Sequence, residues 1–285
     1  MPTPIDYLLS AQHESGGWGY HSGHKPVVEP TAVVILALRE NSAANSSIQR
    51  AIDWLLSCQN PDGGWGINES DHESGWQTAW ALIALSLINQ GEKQISRGVQ
   101  WLTTVATLDV PKEEFLNDRV PKTSTVGALA WPWLPGQACW IEPTALASLA
   151  LPRNSASPLV SARINAALEY FRHFRTPGGG WNVGNAGPLD TIIIPRAYPT
   201  SLVLMALALH SEQDIQLTDL AALQQDLLRD AGILAHASAL LSMRILSKDG
   251  SSEMTYLSTS QLQDGSWEHN PFATAWAMIA KRGYL

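Results

Sequence analysis

A unit written most fully between Trp54 and Leu87 recurs along almost the whole chain, and any fold must accommodate every copy of it. It opens with Trp54-Leu55-Leu56-Ser57-Cys58-Gln59 and turns through Asn60-Pro61-Asp62-Gly63-Gly64-Trp65. It resumes at Gln77-Thr78-Ala79-Trp80 with an apolar run to Leu87. Ile48, Ala51, Ile52, Leu55, Leu56 and Cys58 recur at helical spacing, while Gln49, Arg50, Asp53 and Ser57 take the opposite face, which predicts an amphipathic helix with one wet side. The segment from Ala79 to Leu85 is apolar nearly all round and predicts a helix buried on both sides. Gly63 and Gly64 are expected to supply positive φ at the end of the first helix, letting Trp65 fold back under the turn. The unit thus reads as an outer helix, a glycine turn and an inner helix.

Further copies follow in order. Tyr7-Leu8-Leu9, Gln12 and Gly16-Gly17-Trp18 lead to Glu29-Pro30-Thr31-Ala32 and an apolar run to Leu38. A third copy starts at Trp101-Leu102, carries a charged, proline-containing insert from Asp109 to Pro121, and resumes at Trp131-Pro132-Trp133. It ends with Trp140-Ile141-Glu142-Pro143-Thr144 and a helix to Leu151. The fourth has Tyr170-Phe171, Gly178-Gly179-Gly180-Trp181 and Tyr198-Pro199-Thr200. The last has Tyr256-Leu257, Gln261, Gly265-Ser266-Trp267 and Phe272-Ala273-Thr274. The gap between Trp181 and Trp267 is nearly twice that between Trp18 and Trp65, so a degenerate copy is expected there, built from Leu217–Leu228 and Ile233–Leu246 around Gly232. Six pairs result, at approximately 5–40, 48–90, 94–151, 160–210, 216–247 and 252–282. Outer amphipathic and inner apolar helices close naturally into a two-layered ring, with no apolar end repeat left to cap. The expectation is one all-α domain over residues 1–285, an α6–α6 (α/α) toroid of six helix pairs; an open superhelix is the other arrangement such repeats allow.

Composition narrows the function. The chain is 45% hydrophobic and 15% charged, as befits a soluble protein with much internal surface, and its formal net charge of −8 argues against nucleic acid or an anionic membrane as partner. Cys58 and Cys139 lie in apolar segments and read as free buried thiols of a reducing compartment. With no basic segment followed by an apolar stretch at the start and no run of 18 apolar residues, the expectation is a cytoplasmic protein without a membrane span.

The pattern of an aromatic-Leu pair, then Gln, then Gly-x-Trp, as in Trp54-Leu55, Gln59 and Gly63-Gly64-Trp65, resembles the QW repeat of squalene–hopene and oxidosqualene cyclases. It is also similar to the repeats of protein prenyltransferase β subunits. The resemblance spans nearly the whole chain. It implies an α6–α6 barrel acting on an isoprenoid, although triterpene cyclases have two such domains and this chain has the length of one. In the cyclases the proton donor belongs to an Asp-x-Asp-Asp motif followed by Thr-Ala. Glu29 in Val28-Glu29-Pro30-Thr31-Ala32 and Glu142 in Ile141-Glu142-Pro143-Thr144 stand at the place of the donor, but no Asp-x-Asp occurs in the chain. The Asp-x-Cys of prenyltransferase zinc sites and the Asp-Asp-x-x-Asp of magnesium-diphosphate sites are absent as well, so neither metal nor cofactor is expected. Lys25, Lys122 and Arg196 are available for a diphosphate but are not grouped in sequence.

The position two residues before the aligned Thr of each inner helix holds Glu29, Trp76, Glu142, Tyr198, His236 (of the fifth repeat, which aligns poorly) and Phe272. In a closed ring these positions share one level near a mouth of the central space. Cyclisation started by protonation needs an acid, and aromatic faces stabilise a carbocation by cation–π attraction without trapping it. Glu29 and Glu142 are the candidate acids and His236 a candidate acceptor of the final proton. Trp76, Trp131, Trp133, Trp140, Tyr198 and Phe272 are the candidate substrate-shaping aromatics. The plainer reading of both Glu-Pro-Thr motifs is helix initiation, with Pro at the first helical position and an acid favoured by the helix dipole. That dipole lowers a carboxyl's pKa, so a general acid here requires burial or a second carboxylate. The aromatics from Trp131 to Trp133 either line the cavity or pack. The apolar loop Ile192-Ile193-Ile194-Pro195, if exposed, marks a substrate entrance or a peripheral membrane contact. His13, His21, His24 and Glu29 lack standard zinc spacing. The expected partner is an isoprenoid or another apolar small molecule. The competing reading is a non-catalytic isoprenoid-binding or protein-interaction toroid that has lost the acid motif.

Overall fold

A computed structural model describes residues 2–108, 128–153, 155–183, 194–229 and 232–284. The Asp109–Pro121 insert, Lys122, Ile192 and Ile193 lie outside the described residues. Among these residues twelve α-helices follow one another: α1 (Pro4–Ser10) and α2 (Val28–Leu38), α3 (Asn45–Ser57) and α4 (Gln77–Leu87), α5 (Glu92–Thr104) and α6 (Ile141–Ala150). Then come α7 (Pro158–Phe174) and α8 (Ala197–His210), α9 (Leu217–Leu227) and α10 (Ile233–Ile245), and α11 (Ser251–Thr259) and α12 (Pro271–Arg282). The segments expected for the degenerate fifth copy are both helical.

The even-numbered helices are the inner ones. Every residue of α2 is buried, as is α4 from Gln77 to Leu85. The odd-numbered helices show one wet face. On α3, Ile48, Ala51, Ile52, Trp54 and Leu55 are buried while Gln49, Arg50 and Asp53 are exposed. Local signals set the ends. Thr3 and Asp6 form a reciprocal capping box at the start of α1. Asn270 caps α12, which begins with Pro271 and ends at Gly283 with φ 100. Pro30 and Pro143 are the third residues of α2 and α6 rather than the first, still within the turn where a missing N–H leaves no bond unmade.

The repeat residues have separable jobs. The backbone N–H of Trp18, Trp65, Trp131, Trp181 and Trp267 donates to the hydroxyl of Thr31, Thr78, Thr144, Thr200 and Thr274 at 2.9–3.1 Å. The indole N–H of each donates at 2.7–2.9 Å to a carbonyl of the same pair's outer helix, at Leu8, Leu55, Leu102, Phe171 and Leu257. Each tryptophan thus ties the outer helix of a pair to its own inner helix, and all five are at most 2% exposed. The glutamines tie one pair to the next: Gln12 Nε2 donates to Ser47 O at 2.8 Å and Gln59 Nε2 to Gln94 O at 2.9 Å. Of the two turn glycines of the second repeat only Gly63 has positive φ, at 98°. Gly64 does not, because a single left-handed residue suffices to end the helix.

By contact density the chain divides into two compact units, Met1–Gly98 with Gly232–Leu285, and Val99–Ala231. In the first, the inner helices pack in the order α10, α12, α2, α4, so the last pair adjoins the first. Arg282 on α12 donates to Leu36 O of α2 at 2.9 Å, and Tyr284 donates to Glu40. In this unit α11, α1 and α3 lie on α10, α12 and α2, so each outer helix leans on the inner helix of the preceding pair. The second unit repeats this with α6 against α8, α7 on α6 and α9 on α8. There Asp226 of α9 accepts from the first N–H of α8, at Ala197, at 2.7 Å, a cap supplied from outside the helix.

Candidate functional site

In the first unit, Glu29 occupies the first turn of α2 and is 7% exposed. The hydroxyl of Tyr20, in the loop just after Trp18, donates a short hydrogen bond to Glu29 Oε2. Burial, reinforced by the Glu29 charge and this bond, drives the Tyr20 hydroxyl far above its ordinary pKa, so it remains a donor. The Tyr20 ring stands edge-on to Phe272 of α12 at 5.6 Å between centroids. Phe272 meets Trp276 at 6.4 Å, and Trp276 meets Trp80 of α4 at 5.8 Å, both near-perpendicular. A buried carboxylate, a tyrosine and a chain of aromatic rings are thus contiguous along α2, α12 and α4. Trp76, the N-cap of α4, is half-buried.

His236 is on α10, but its ring stacks on Tyr256 of the outer helix α11, centroids 3.8 Å apart and planes within 21°. Its side chain is therefore engaged toward the outer layer, a direction that position along the sequence could not reveal. His21 and His24 meet edge to face at 5.2 Å. Among the described residues no three His, Cys, Asp or Glu side chains converge as a metal site would need.

In the second unit, Glu142 occupies the equivalent first-turn position of α6. From Ile141 to Ser148 it is the sole residue that is not fully buried, and Tyr198 has the same standing from Ala197 to Leu207 on α8. The carboxyl of Glu142 makes no hydrogen bond among the described residues, and burial raises its pKa from 4.5 to about 7. Desolvation is the cause, with no second carboxylate contributing. A carboxyl with these properties holds its proton near neutrality, as a general acid must.

The aromatics of the loop before Glu142 differ in burial. Trp131, expected among the substrate-shaping rings, is the tryptophan of the third repeat. It is 2% exposed and covered by the guanidinium of Arg163, 4.4 Å from the ring, and so belongs to the packing. Trp133 and Trp140 remain half-buried. Trp140 N–H donates to Trp131 O at 3.0 Å and the Tyr170 hydroxyl to Cys139 O at 2.7 Å, which pins the loop. Cys58 and Cys139 are free and buried, and burial pushes the Cys58 thiol up to about 12. Ile194 is 47% exposed at the edge of its loop. Among the described residues no helix is long and apolar enough to cross a membrane.

Sequence reasoning missed Tyr20 and Arg163. Tyr20 sits in a non-periodic loop, and its one signal is its place two residues after the repeat tryptophan. Arg163 lies on a helix whose other cations are solvated, and nothing in its spacing separates it from them.

Residues 1–115 match the model of the squalene-hopene cyclase C-terminal domain. No curated protein matches the chain in sequence. Among solved structures, a type II terpene cyclase from Scytonema in complex with geranylgeranyl dihydroxybenzoate, its substrate, is similar with a TM-score of 0.60 and 16% identity, over 98% of this chain and 94% of that one. A protein from Actinoplanes has a TM-score of 0.66 and 18% identity over 98% and 97% of the two chains. An alpha-amylase from Clostridium perfringens also reaches 0.66, with 8% identity over 99% and 97%. At such identities these likenesses show the fold alone. The all-α toroid class and the resemblance to squalene–hopene cyclase-like proteins are thereby established, and the chemistry is to be argued from the site.

Proposed function

We propose that this protein is a class II-like terpenoid cyclase, which protonates an apolar isoprenoid and cyclises it without a metal, with Glu142 as the acid. The observation that carries this reading is a half-buried carboxyl in the first turn of an inner helix, without a hydrogen-bond partner among the described residues and protonated up to about pH 7. In the reaction the Glu142 O–H adds its proton to a terminal alkene carbon. The resulting tertiary cation is attacked by the next double bond, and loss of a proton from carbon restores an alkene. Glu142 regains its proton from solvent. The half-buried rings of Tyr198, Trp133 and Trp140 lie in the same unit, and aromatic faces of this kind stabilise a passing cation. Glu29 suits a donor less well, since its Oε2 is already engaged by the Tyr20 hydroxyl.

A non-catalytic scaffold is the second reading. Trp80 and Trp276 in the first unit, and Leu146 and Met205 in the second, are each at most 2% exposed, so these inner-helix side chains do not line an open space. Incubation of wild type, Glu142→Gln and Glu29→Gln with isoprenoids of increasing length, geranylgeranyl dihydroxybenzoate and squalene among them, separates the readings. A cyclised product made by wild type and Glu29→Gln but not by Glu142→Gln is expected. Loss in Glu29→Gln alone transfers the acid role to Glu29. No product and no retained lipid in any of the three overturns the cyclase in favour of the scaffold.

A further inference from the structure

In the second unit the loop from Trp131 to Trp140, which leads directly into the turn bearing Glu142, is a closed excursion. Its two arms meet as an antiparallel bridge between Pro132 and Cys139, and Trp140 N–H donates to Trp131 O at 3.0 Å. The first arm is tied to α6, because Trp131 N–H donates to the Thr144 hydroxyl at 3.1 Å. The tip is tied to the chain just past α5. Gly136 N–H donates to Ala106 O at 2.9 Å, and Leu108 N–H donates to Gln137 O at 3.0 Å.

Both arms are also held by one face of the outer helix α7. Arg163 and Tyr170 stand seven residues apart on it, two turns along the same side, and each is 1% exposed. The Arg163 guanidinium lies 4.4 Å over the Trp131 ring, at the root of the first arm. The Tyr170 hydroxyl donates to Cys139 O at 2.7 Å, in the second arm. Phe174, one turn further along α7, packs on the Tyr170 ring with centroids 4.4 Å apart and so limits where that hydroxyl points.

The second arm bears on Glu142. Cys139 and Trp140 immediately precede α6, and Trp140, its N-cap, is extended at φ −135° and ψ 157°. A helical side chain leans back toward the N-terminus of its helix, so the first-turn carboxyl of Glu142 extends toward this arm rather than along the body of α6. Burial is what raises Glu142. Neither the Arg163 charge nor Tyr170 or Tyr198, on the helices α7 and α8 packed against α6, contributes to it. The dryness of the carboxyl therefore depends on how firmly the loop is held.

We propose that Tyr170 is a positioning residue for the acid, holding the Cys139–Trp140 peptide so that the loop stays closed against Glu142 and keeps water from its carboxyl. The inference rests on the reading of Glu142 as the acid. Tyr170 acts through the backbone it holds and not on the reacting atoms.

The test follows the Glu142 carboxyl by NMR, in intact protein labelled with carbon-13 at the glutamate carboxyls. The signal is identified by its loss in Glu142→Gln. Wild type is expected to titrate near 7, and Tyr170→Phe to titrate lower, toward the 4.5 of an open carboxyl. Tyr170→Phe retains the ring and its packing on Phe174, so the helix is expected to stay folded. Phe171→Leu trims the adjacent buried residue of α7 without removing the bond to the loop, and is expected to titrate as wild type does. In any product assay the pH at which cyclisation declines is expected to fall with the midpoint in Tyr170→Phe. A midpoint near 7 that Tyr170→Phe leaves in place, or that Phe171→Leu lowers equally, overturns the positioning role while the acid reading stands. A wild-type midpoint near 4.5 overturns both.

Discussion

Glu29 and Glu142 hold equivalent positions in their helices and carry the same Glu-Pro-Thr context, yet their surroundings differ. Glu29 accepts from Tyr20, whereas Glu142 has no such donor among the described residues and is raised to about 7 by burial. The sign of the pH dependence follows. The folded state keeps a proton on Glu142 that the unfolded chain releases near 4.5, so this proton's contribution to stability is full below about 4.5 and is lost as pH rises through about 7. Glu142→Gln is expected to remove that slope and to stabilise the protein at pH values above 7 by roughly 1–3 kcal/mol, read from urea midpoints across pH. Any cyclisation by wild type is expected to decline over the same rise in pH. Tyr20→Phe removes one donor to Glu29 and is expected to destabilise the fold by about 1–3 kcal/mol in the same assay. The two Glu-Pro-Thr motifs were legible as candidates, but what distinguishes them was not. Tyr20 and the desolvation of Glu142 arise from chain segments brought together only by folding.

At the scale of elements, the repeat acts through backbone bonds more than through side-chain chemistry. Each tryptophan locks its own pair, Gln12 and Gln59 reach the next, and the repeat glycine permits the close approach. Gly63 and Gly23 both have positive φ, 98° and 76°, but a Cβ on Gly63 would meet Arg97 O at 2.8 Å whereas Gly23 has nothing within 4 Å. Gly63→Ala is therefore expected to lower the thermal midpoint well beyond Gly23→Ala. The shared strain amounts to about 1 kcal/mol, and the excess measures the packing of one pair on the next. The pairs themselves were readable because apolar periodicity and glycine turns are local signals. That outer helices lean on the preceding pair's inner helix was not, since no local pattern records which neighbour a wet-faced helix covers.

Across the whole molecule, contacts join chain positions more than 240 residues apart. Arg282 donates to Leu36 O, half-buried at the junction of α12 and α2, while Arg172 pairs with Asp214 at an exposed position. Arg282→Ala is expected to lower the urea midpoint by the equivalent of about 1.5–3 kcal/mol, against about 0–1 for Arg172→Ala, because solvent screens the exposed pair. By itself the sequence determined the all-α class, six helix pairs and the inner or outer standing of each helix. Hydrophobic periodicity, glycine turns and the recurring Gln and Trp are written locally and repeated. The tertiary structure alone decided which rings pack and which stay accessible, as with Trp131 against Trp133, and which of two identical motifs carries the carboxyl raised by desolvation. It also turned His236 toward Tyr256. Burial and hydrogen-bond partners depend on neighbours distant in the chain, and only folding assigns them.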